Sequence, residues 1–264
     1  MSVEHRVHEN LVETRSGAVA TLRIDRERAL GALSRPMVEA LGGYLTALRS
    51  DEDVRVLVLT GTGRGFVAGA DITEYSGVTR TAFDDYQKLS RGVFDQLAQL
   101  PQPTIAAVNG YALGGGFEIA LCCDFLVAST AARFGLPEVS LGLLPGGGGT
   151  VRLARQVGVR LTKELVLTGR RIRPDEAQWL GLLTALTEPD DLLPRADELA
   201  ATLAAQAPLA VREGKRLVDD GVETGLATAL TREQQVLSWL STTDDAREGI
   251  AAFLEKRAAV FHGR

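Results

Sequence analysis

The segment GYALGGGFEIALCCD, residues 110–124, is built almost entirely from small and apolar residues. Its single glutamate, Glu118, stands just after three consecutive glycines and one phenylalanine. The composition predicts a helix that begins at Gly115 and lies in the core. A solvated side chain is the ordinary role of a glutamate, but an unpaired ionised carboxylate would be costly in these surroundings. Glu118 is therefore a candidate functional residue.

Strand and helix patterns alternate at short intervals on both sides of this segment, up to about residue 190. The predicted strands are 6–14, 18–25, 54–61, 104–110 and 125–128. The predicted helices are 34–51 with Ser34 as N-cap, 83–100, and two that begin at Gly115 and at residue 149. This alternation is typical of an α/β domain with parallel strand pairing.

The composition changes after Pro189-Asp190-Asp191, where strand patterns give way to helical ones. We place a domain boundary near residue 195. The chain is thus predicted to comprise an α/β unit, residues 1–195, and a helical unit, residues 196–264. The apolar faces of the predicted helices in the second unit favour self-association.

The charge balance excludes some classes of partner. The 264 residues carry 34 acidic and 29 basic side chains, a net charge of −5. This gives no general attraction for nucleic acid or an anionic membrane, so we expect neither as a partner. The polar N-terminus resembles no signal peptide and no apolar run reaches membrane-spanning length, so we expect a cytoplasmic protein.

Cysteine and histidine residues give no sign of a metal or redox site. Cys122 and Cys123 are adjacent in an apolar run, without the spacing of zinc ligands or a disulfide framework, and are expected to be reduced core residues. His5, His8 and His262 lie at the two ends of the chain, which leaves a histidine triad or a histidine metal site unsupported.

A second carboxylate lies in a similarly apolar segment. Glu138 belongs to FGLPEVSLG, residues 134–142. Two carboxyl groups in one shielded pocket can hold their pKa values apart, so that one acts as acid and the other as base. Glu138 is accordingly a candidate partner for Glu118.

Two glycine-containing segments could supply backbone donors. GRGFVAGADI, residues 63–72, places Gly69 and Ala70 at a predicted bend, where exposed N–H groups could bind an oxyanion. Asp71 is more simply a helix N-cap, with Glu74 completing a capping box. The run Gly146–Gly149 could bind a phosphate or form a tight turn into a helix, and the general use of glycine in turns favours the turn.

Three blocks together resemble the enoyl-CoA hydratase/isomerase (crotonase) superfamily: GFVAGADI, AAVNGYALGGGFEIALCCD and FGLPEVSLGLLPGGGGTVRLARQVG. The resemblance extends from about residue 23 to the C-terminus. It implies a spiral of ββα units followed by a helical trimerisation region, and a homotrimer or dimer of trimers. The implied substrate is an acyl-CoA thioester, in which coenzyme A is part of the substrate, with no separate cofactor and no metal.

The resemblance also implies roles for individual residues. The backbone N–H groups of Ala70 and Gly115 would form an oxyanion hole for the thioester carbonyl. Glu118 would activate water for attack on the β-carbon of a trans-2-enoyl-CoA, and Glu138 would deliver a proton to the α-carbon. The further substrate and CoA contacts implied are Arg28, Ala29, Ala68, Asp71, Ile72, Thr73, Gly146, Phe253 and Lys256. Thr73 departs from the lysine often found in close hydratases.

Two alternatives to a hydratase stay open at this point. A Δ3-Δ2-enoyl-CoA isomerase would shuttle a proton with one glutamate and add no water, which leaves the second carboxylate without a role. An RNA-binding relative that retains the fold is the alternative outside enzymes. The acidic net charge and the absence of a basic stripe with interleaved aromatic residues disfavour it.

Overall fold

The chain winds between two sheets, which were analysed in a computed structural model that describes residues 3–264. The first sheet has seven strands in the order β1-β2-β3-β4-β6-β8-β11, and the second has four in the order β10-β9-β7-β5. The strands are β1 (Val3–His8), β2 (Leu11–Ser16), β3 (Val19–Ile24), β4 (Val56–Gly61), β5 (Gly65–Val67), β6 (Thr104–Val108), β7 (Tyr111–Leu113), β8 (Phe125–Ser129), β9 (Arg133–Gly135), β10 (Arg171–Ile172) and β11 (Ala185–Thr187).

Helices follow each passage through the sheets and dominate the C-terminal part. They are α1 (Arg35–Arg49), α2 (Arg80–Ala98), α3 (Gly115–Cys122), α4 (Gly149–Val157), α5 (Val159–Thr168), α6 (Pro174–Trp179), α7 (Leu192–Ala204), α8 (Pro208–Gly221), α9 (Leu226–Leu240) and α10 (Asp244–Glu255). No helix within residues 3–264 is both long and apolar enough to cross a bilayer.

The repeating unit is a strand in each sheet followed by a helical segment. β4, β6 and β8 are parallel neighbours in the large sheet, and β5, β7 and β9, which follow them in the chain, are parallel neighbours in the small one. Each turn of the spiral therefore ends at the same edge of the small sheet, where α3 begins after β7. The predicted α/β class with parallel pairing and the spiral of ββα units are confirmed.

The N-terminal strand prediction is wrong in one respect. The predicted strand 6–14 is interrupted at Glu9 and Asn10, where β1 turns back to pair with β2 in antiparallel register. The N-terminal region therefore contributes three strands rather than two. The turn lacks glycine and proline, which is why the sequence pattern runs through it without a break.

The predicted capping box is also wrong. Asp71 caps the 3₁₀ turn Ile72–Tyr75 by accepting from the Thr73 N–H at 3.2 Å, but Glu74 does not reach back to it. The Glu74 carboxylate instead accepts from the backbone N–H of Arg35 at 2.9 Å. Ser34 is the N-cap residue of α1 as predicted, yet its side chain makes no capping bond.

The predicted domain boundary near residue 195 falls inside α7. Leu192, Ala196 and Ala200 of α7 are buried against the large sheet, in a cluster that includes Val58 of β4 and Ile105 of β6. These contacts cover the face of the sheet opposite the main core. The division into units 1–195 and 196–264 stays a prediction, and α7 is shared between them.

The packing of α3 in the core depends on a close approach between its backbone and that of β5. Both cysteines are free and buried there, as expected. A Cβ atom at Gly116 would lie 1.8 Å from the carbonyl oxygen of Val67, a distance that no real Cβ contact reaches. Glycine at this position lets α3 pack directly on β5, and that contact brings the N-terminus of α3 beside residues 69 and 70.

Replacing Gly116 by alanine should therefore destabilise the protein by about 1–3 kcal/mol or more, because the added methyl group forces α3 away from β5. Gly43→Ala is the matched control, since Gly43 is an exposed α1 residue with open space around its Cβ position. That change should stabilise the helix by roughly 0.5–1 kcal/mol. Urea unfolding midpoints measure both, and equal midpoints for the two variants would contradict the packing argument.

Candidate active site

Glu118 is held in the core by two backbone donors. It lies in the first turn of α3 with a relative exposure of 3%. Its Oε1 atom accepts from the N–H groups of Gly147 and Gly149, each at 2.8 Å. Gly149 begins α4, so the glycine run is a turn into a helix, as favoured from the sequence. Two of its N–H groups bind a carboxylate of the protein itself.

The glycine run fits the carboxylate because it lacks side chains. A Cβ atom at Gly147 would lie 2.4 Å from a ring carbon of Phe94 and 2.8 Å from Glu118 Oε2. One at Gly149 would lie 2.9 Å from Glu118 Cγ. Larger residues at either position would displace the carboxylate or the ring.

Glu138 approaches the same place from the other side. It lies in the 3₁₀ turn Pro137–Leu141, directly after β9. Its Oε1 atom is 3.0 Å from the position that a Cβ of Gly114 would occupy, one residue before α3. Its Oε2 atom is buried and has no hydrogen-bond partner among residues 3–264. One oxygen of Glu138 is thus shielded from bulk water without being satisfied by the protein.

The two carboxyl groups differ in what surrounds them. Burial raises the pKa of Glu138 to about 7, helped by the negative charge of Glu118 and opposed by the backbone N–H of Glu138 itself. Burial also raises the pKa of Glu118, but the N–H groups of Gly149 and Gly147 and the positive charges of Arg152 and Arg91 oppose that rise. Donors and cations stabilise the charged form. These donors and cations therefore limit the rise in the pKa of Glu118, and no cation limits the rise in the pKa of Glu138.

The backbone of Ala70 meets the N-terminus of α3. Ala70 forms an isolated parallel bridge with Leu33, made by the Leu33 N–H to the Gly69 carbonyl at 2.9 Å and the Asp71 N–H to the Leu33 carbonyl at 2.8 Å. Neither bond uses the N–H of Ala70. That nitrogen lies 3.9 Å from the position of a Gly115 Cβ. The first N–H groups of a helix have no intrahelical acceptor, so two backbone donors come together here.

Asp71 ties this bend to the segment before α1. Arg26 donates to Asp71 Oδ2 at 2.8 Å and to the carbonyl of Ala32 at 2.7 Å, which ties the bend to the segment before α1. Hydrogen bonds from Thr73 and Arg26 lower the pKa of Asp71. Thr73 donates its hydroxyl to the same carboxylate at 2.6 Å. Asp71 and Thr73 are therefore joined to each other in the structure.

The other predicted contact residues fall into two groups. Ala68 donates its N–H to Leu30, which places it beside the 3₁₀ turn that contains Arg28 and Ala29. Arg28, Ile72, Thr73 and Gly146 are exposed. Phe253 is 83% exposed on α10, and Lys256 is the exposed C-cap residue of that helix. Binding of CoA by either group stays a prediction.

Comparison with known proteins now identifies the family. A family model described as "Enoyl-CoA hydratase/isomerase" matches residues 14–264. The chain is 40% identical to the short-chain-enoyl-CoA hydratase of Clostridium acetobutylicum, covering 94% of this chain and 95% of that one. It is 39% identical to the crotonyl-CoA hydratase of Syntrophomonas wolfei, covering 96% and 98%. The chain belongs to the enoyl-CoA hydratase/isomerase family.

A solved structure supports the same assignment. The crystal structure of an enoyl-CoA hydratase from Bacillus anthracis superposes with a TM-score of 0.95 at 38% identity, covering 97% of this chain and all of that one. The resemblance inferred from the three sequence blocks is therefore confirmed, as are the crotonase fold and an enzyme of the enoyl-CoA hydratase type.

The sequence analysis did not predict several residues that line the site. Gln87 donates to the Tyr75 hydroxyl at 3.2 Å, and its Oε1 atom lies 2.2 Å from a Cβ position at Gly146. Burial, together with the charges of Glu118 and Glu138, raises the pKa of Tyr75, while the bond from Gln87 lowers it. Tyr75 and α2 thus form one wall of the site. The only available signal was the aromatic spacing between residues 75 and 86, which is equally typical of a core.

The raised pKa of Glu138 makes a prediction about stability. A carboxyl group that holds its proton more tightly when folded stabilises the fold below its unfolded pKa and loses that contribution as the pH rises through the folded value, here about 7. Glu138→Gln is neutral at every pH, so it should gain thermal stability relative to the parent between about pH 5 and about pH 8.

Thermal unfolding midpoints at the two pH values check this, with Glu52→Gln at an exposed position as the control. A difference between Glu138→Gln and the parent that stays constant across this range would argue against a protonated Glu138 in the folded protein.

Proposed function

We propose that the chain hydrates trans-2-enoyl-CoA thioesters of short to medium length, by syn addition of water to give 3-hydroxyacyl-CoA. One observation carries the proposal: Glu118 and Glu138 lie beside the start of α3, and N–H groups and cations oppose the rise in the pKa of Glu118 whereas no cation opposes that of Glu138. Hydration needs a base for water and an acid for carbon, and two such carboxyl groups provide both. The curated relatives named as hydratases of short enoyl-CoAs support the choice of substrate class.

The thioester would bind with its carbonyl oxygen between the N–H groups of Ala70 and Gly115. Attack at the β-carbon moves negative charge onto that oxygen as an enolate. Two fixed donors and the N-terminal end of α3 stabilise such charge without reorganising. Removal of one oxyanion-hole donor typically costs about 3 kcal/mol of barrier. The nearness of the Ala70 nitrogen to Gly115 supports this assignment.

Proton transfer then divides between the two carboxyl groups. Glu118 accepts a proton from water as the oxygen bonds to the β-carbon, and Glu138 gives its proton to the α-carbon of the enolate. The oxygen of the water that Glu118 activates and the proton of Glu138 would reach the same face of the double bond, which gives syn addition. The pair then holds one proton on Glu118, and its return to Glu138 restores the starting state. The pKa values that govern turnover belong to the pair.

The test is the pair of single variants Glu118→Gln and Glu138→Gln. Each keeps the side-chain size and removes one acid–base function, so each should lose about 10²- to 10⁴-fold in kcat for crotonyl-CoA hydration. KM should change little, because the oxyanion hole and CoA contacts remain. Since the two groups act as a unit, the double variant should be little worse than the poorer single variant. Loss of enoyl absorbance measures the rate.

Glu39→Gln on the exposed face of α1 is the matched control and should keep parental activity. An isomerase would respond differently, with one substitution severe and the other mild. Hydration within about threefold of the parent after Glu138→Gln, far below the acid–base range, would refute the two-carboxylate mechanism.

A homotrimer, alone or paired as a dimer of trimers, is proposed as the assembly. The C-terminal helices leave a set of large apolar side chains exposed, which favours association over a soluble monomer. The most exposed are Val218, Val222, Leu226, Leu230, Leu237, Trp239, Ile250, Phe253 and Leu254. Sedimentation velocity should therefore give about three or six times the mass of one chain. A monomer at micromolar concentration would contradict it.

A further inference from the structure

An arginine outside the predicted site is linked to Glu118 through one residue of the glycine run. Arg152, in α4, donates from Nη1 to the carbonyl oxygen of Gly147 at 2.6 Å. The N–H of that same glycine donates to Glu118 Oε1 at 2.8 Å. The guanidinium therefore holds the loop that holds the carboxylate.

The arginine is itself fixed by a carboxylate on a second helix. Arg152 Nη2 pairs with Asp95 Oδ1 of α2 at 2.6 Å, and Arg91 binds both oxygens of Asp95 from one turn away, at 2.8 and 2.9 Å. The side chain of Arg152 is only 20% exposed, against 50% for Arg91. Arg152 is therefore the cation of the pair that lies deeper in the protein.

Packing also ties the guanidinium to the loop. Gly148 has a φ of 102°, and a Cβ atom there would lie 2.3 Å from Arg152 Nη1. The guanidinium thus lies directly against the backbone of the glycine run. Loss of this contact would let the loop relax, and a displacement of about 1 Å at a reacting group can cost about 100-fold in rate.

The charged and titratable groups that face Glu118 come from several elements. α4 supplies Arg152, α2 supplies Arg91 and Asp95, the turn after β9 supplies Glu138, α3 itself supplies Cys122, and the turn before α2 supplies Tyr75. The positive charges that stabilise the Glu118 carboxylate are those of Arg152 and Arg91. Asp95 partly neutralises both.

We propose that Arg152 is a positioning residue for hydration: it fixes the glycine run and keeps Glu118 in its carboxylate form, while Asp95 holds Arg152 in place and moderates its charge. This inference rests on the proposed role of Glu118 as the base. A purely structural arginine would set how well the site is formed, whereas this one also sets the pH at which the base becomes active.

The test is the acidic limb of the pH profile of kcat/KM for crotonyl-CoA. Arg152→Met removes the positive charge and should move that limb upward by about one pH unit, the low end of the range for loss of an adjacent opposite charge. It should also lower kcat by about 10- to 100-fold with little change in KM. Arg152→Lys keeps the charge, so its limb should stay near the parental position even though the loop contact is weakened.

Asp95→Asn should move the limb the other way, because it keeps an acceptor for Arg152 and removes a negative charge near Glu118. General damage to the site would not move the acidic limb in opposite directions in Arg152→Met and Asp95→Asn. Arg155→Met, on the exposed side of α4 where Arg155 pairs with Glu223, is the control and should leave the limb and kcat unchanged.

An unmoved limb in Arg152→Met, whatever its kcat, overturns the proposal, as do shifts of both variants in the same direction. If Arg152→Met does not fold by circular dichroism, Asp95→Asn decides alone: a downward shift supports the proposal and any other result overturns it. Failure of the proposed two-carboxylate mechanism can be distinguished from failure of this inference, because Glu118→Gln would then retain hydration activity.

Discussion

The site depends on a single buried carboxylate oxygen that accepts two backbone N–H groups. Burial raises the pKa of Glu118, because desolvation of an isolated carboxylate costs several kcal/mol or more, and the two N–H groups oppose that rise. Hydrogen bonds to a charged acceptor are short and strong, and two of them offset much of that cost. The geometry of these two hydrogen bonds requires glycine at 147 and 149, because a Cβ atom at either position would meet Glu118, and at 147 also the ring of Phe94. The loop that carries both glycines therefore needs a firm support.

The spiral supplies the rest of the geometry through its repetition. Each turn crosses from the large sheet to the small one, and each short strand of the small sheet ends beside the previous one. That arrangement brings the bend at Ala70, the start of α3 and the turn that carries Glu138 to one edge. The approach of α3 to β5 at Gly116 is close enough to exclude any side chain there. Backbone groups rather than long side chains are therefore aimed at the reacting position.

Features that lie within one segment could be predicted from the sequence, whereas contacts between distant segments were missed. Glu118 and Glu138 were found because carboxylates in apolar, glycine-rich segments violate the usual pattern, and the resemblance assigned Ala70 and Gly115. Glu74 was assigned to the wrong helix, because nothing in its own segment shows that the Arg35 N–H, 39 positions away, needs an acceptor. The three-residue strands β5, β7 and β9 are too short to show a period. The sequence does not show that Arg152 of α4 joins the glycine run to Asp95 of α2, because that link depends on how the two helices pack.

Backbone donors of one kind thus serve two purposes in this protein, and the difference lies in whether the chain supplies the acceptor. At the start of α4, the N–H groups of Gly147 and Gly149 bind Glu118 and stabilise the charged form of its carboxyl group. At the start of α3, the bridge to Leu33 leaves the N–H of Ala70 out of its hydrogen bonds, beside Gly115. No cation is among the groups that shift the pKa of Glu138, and burial raises that pKa to about 7. Two carboxyl groups and the neighbouring N–H groups of Ala70 and Gly115 thus lie in the same apolar, glycine-rich surroundings and differ because each receives a different set of partners.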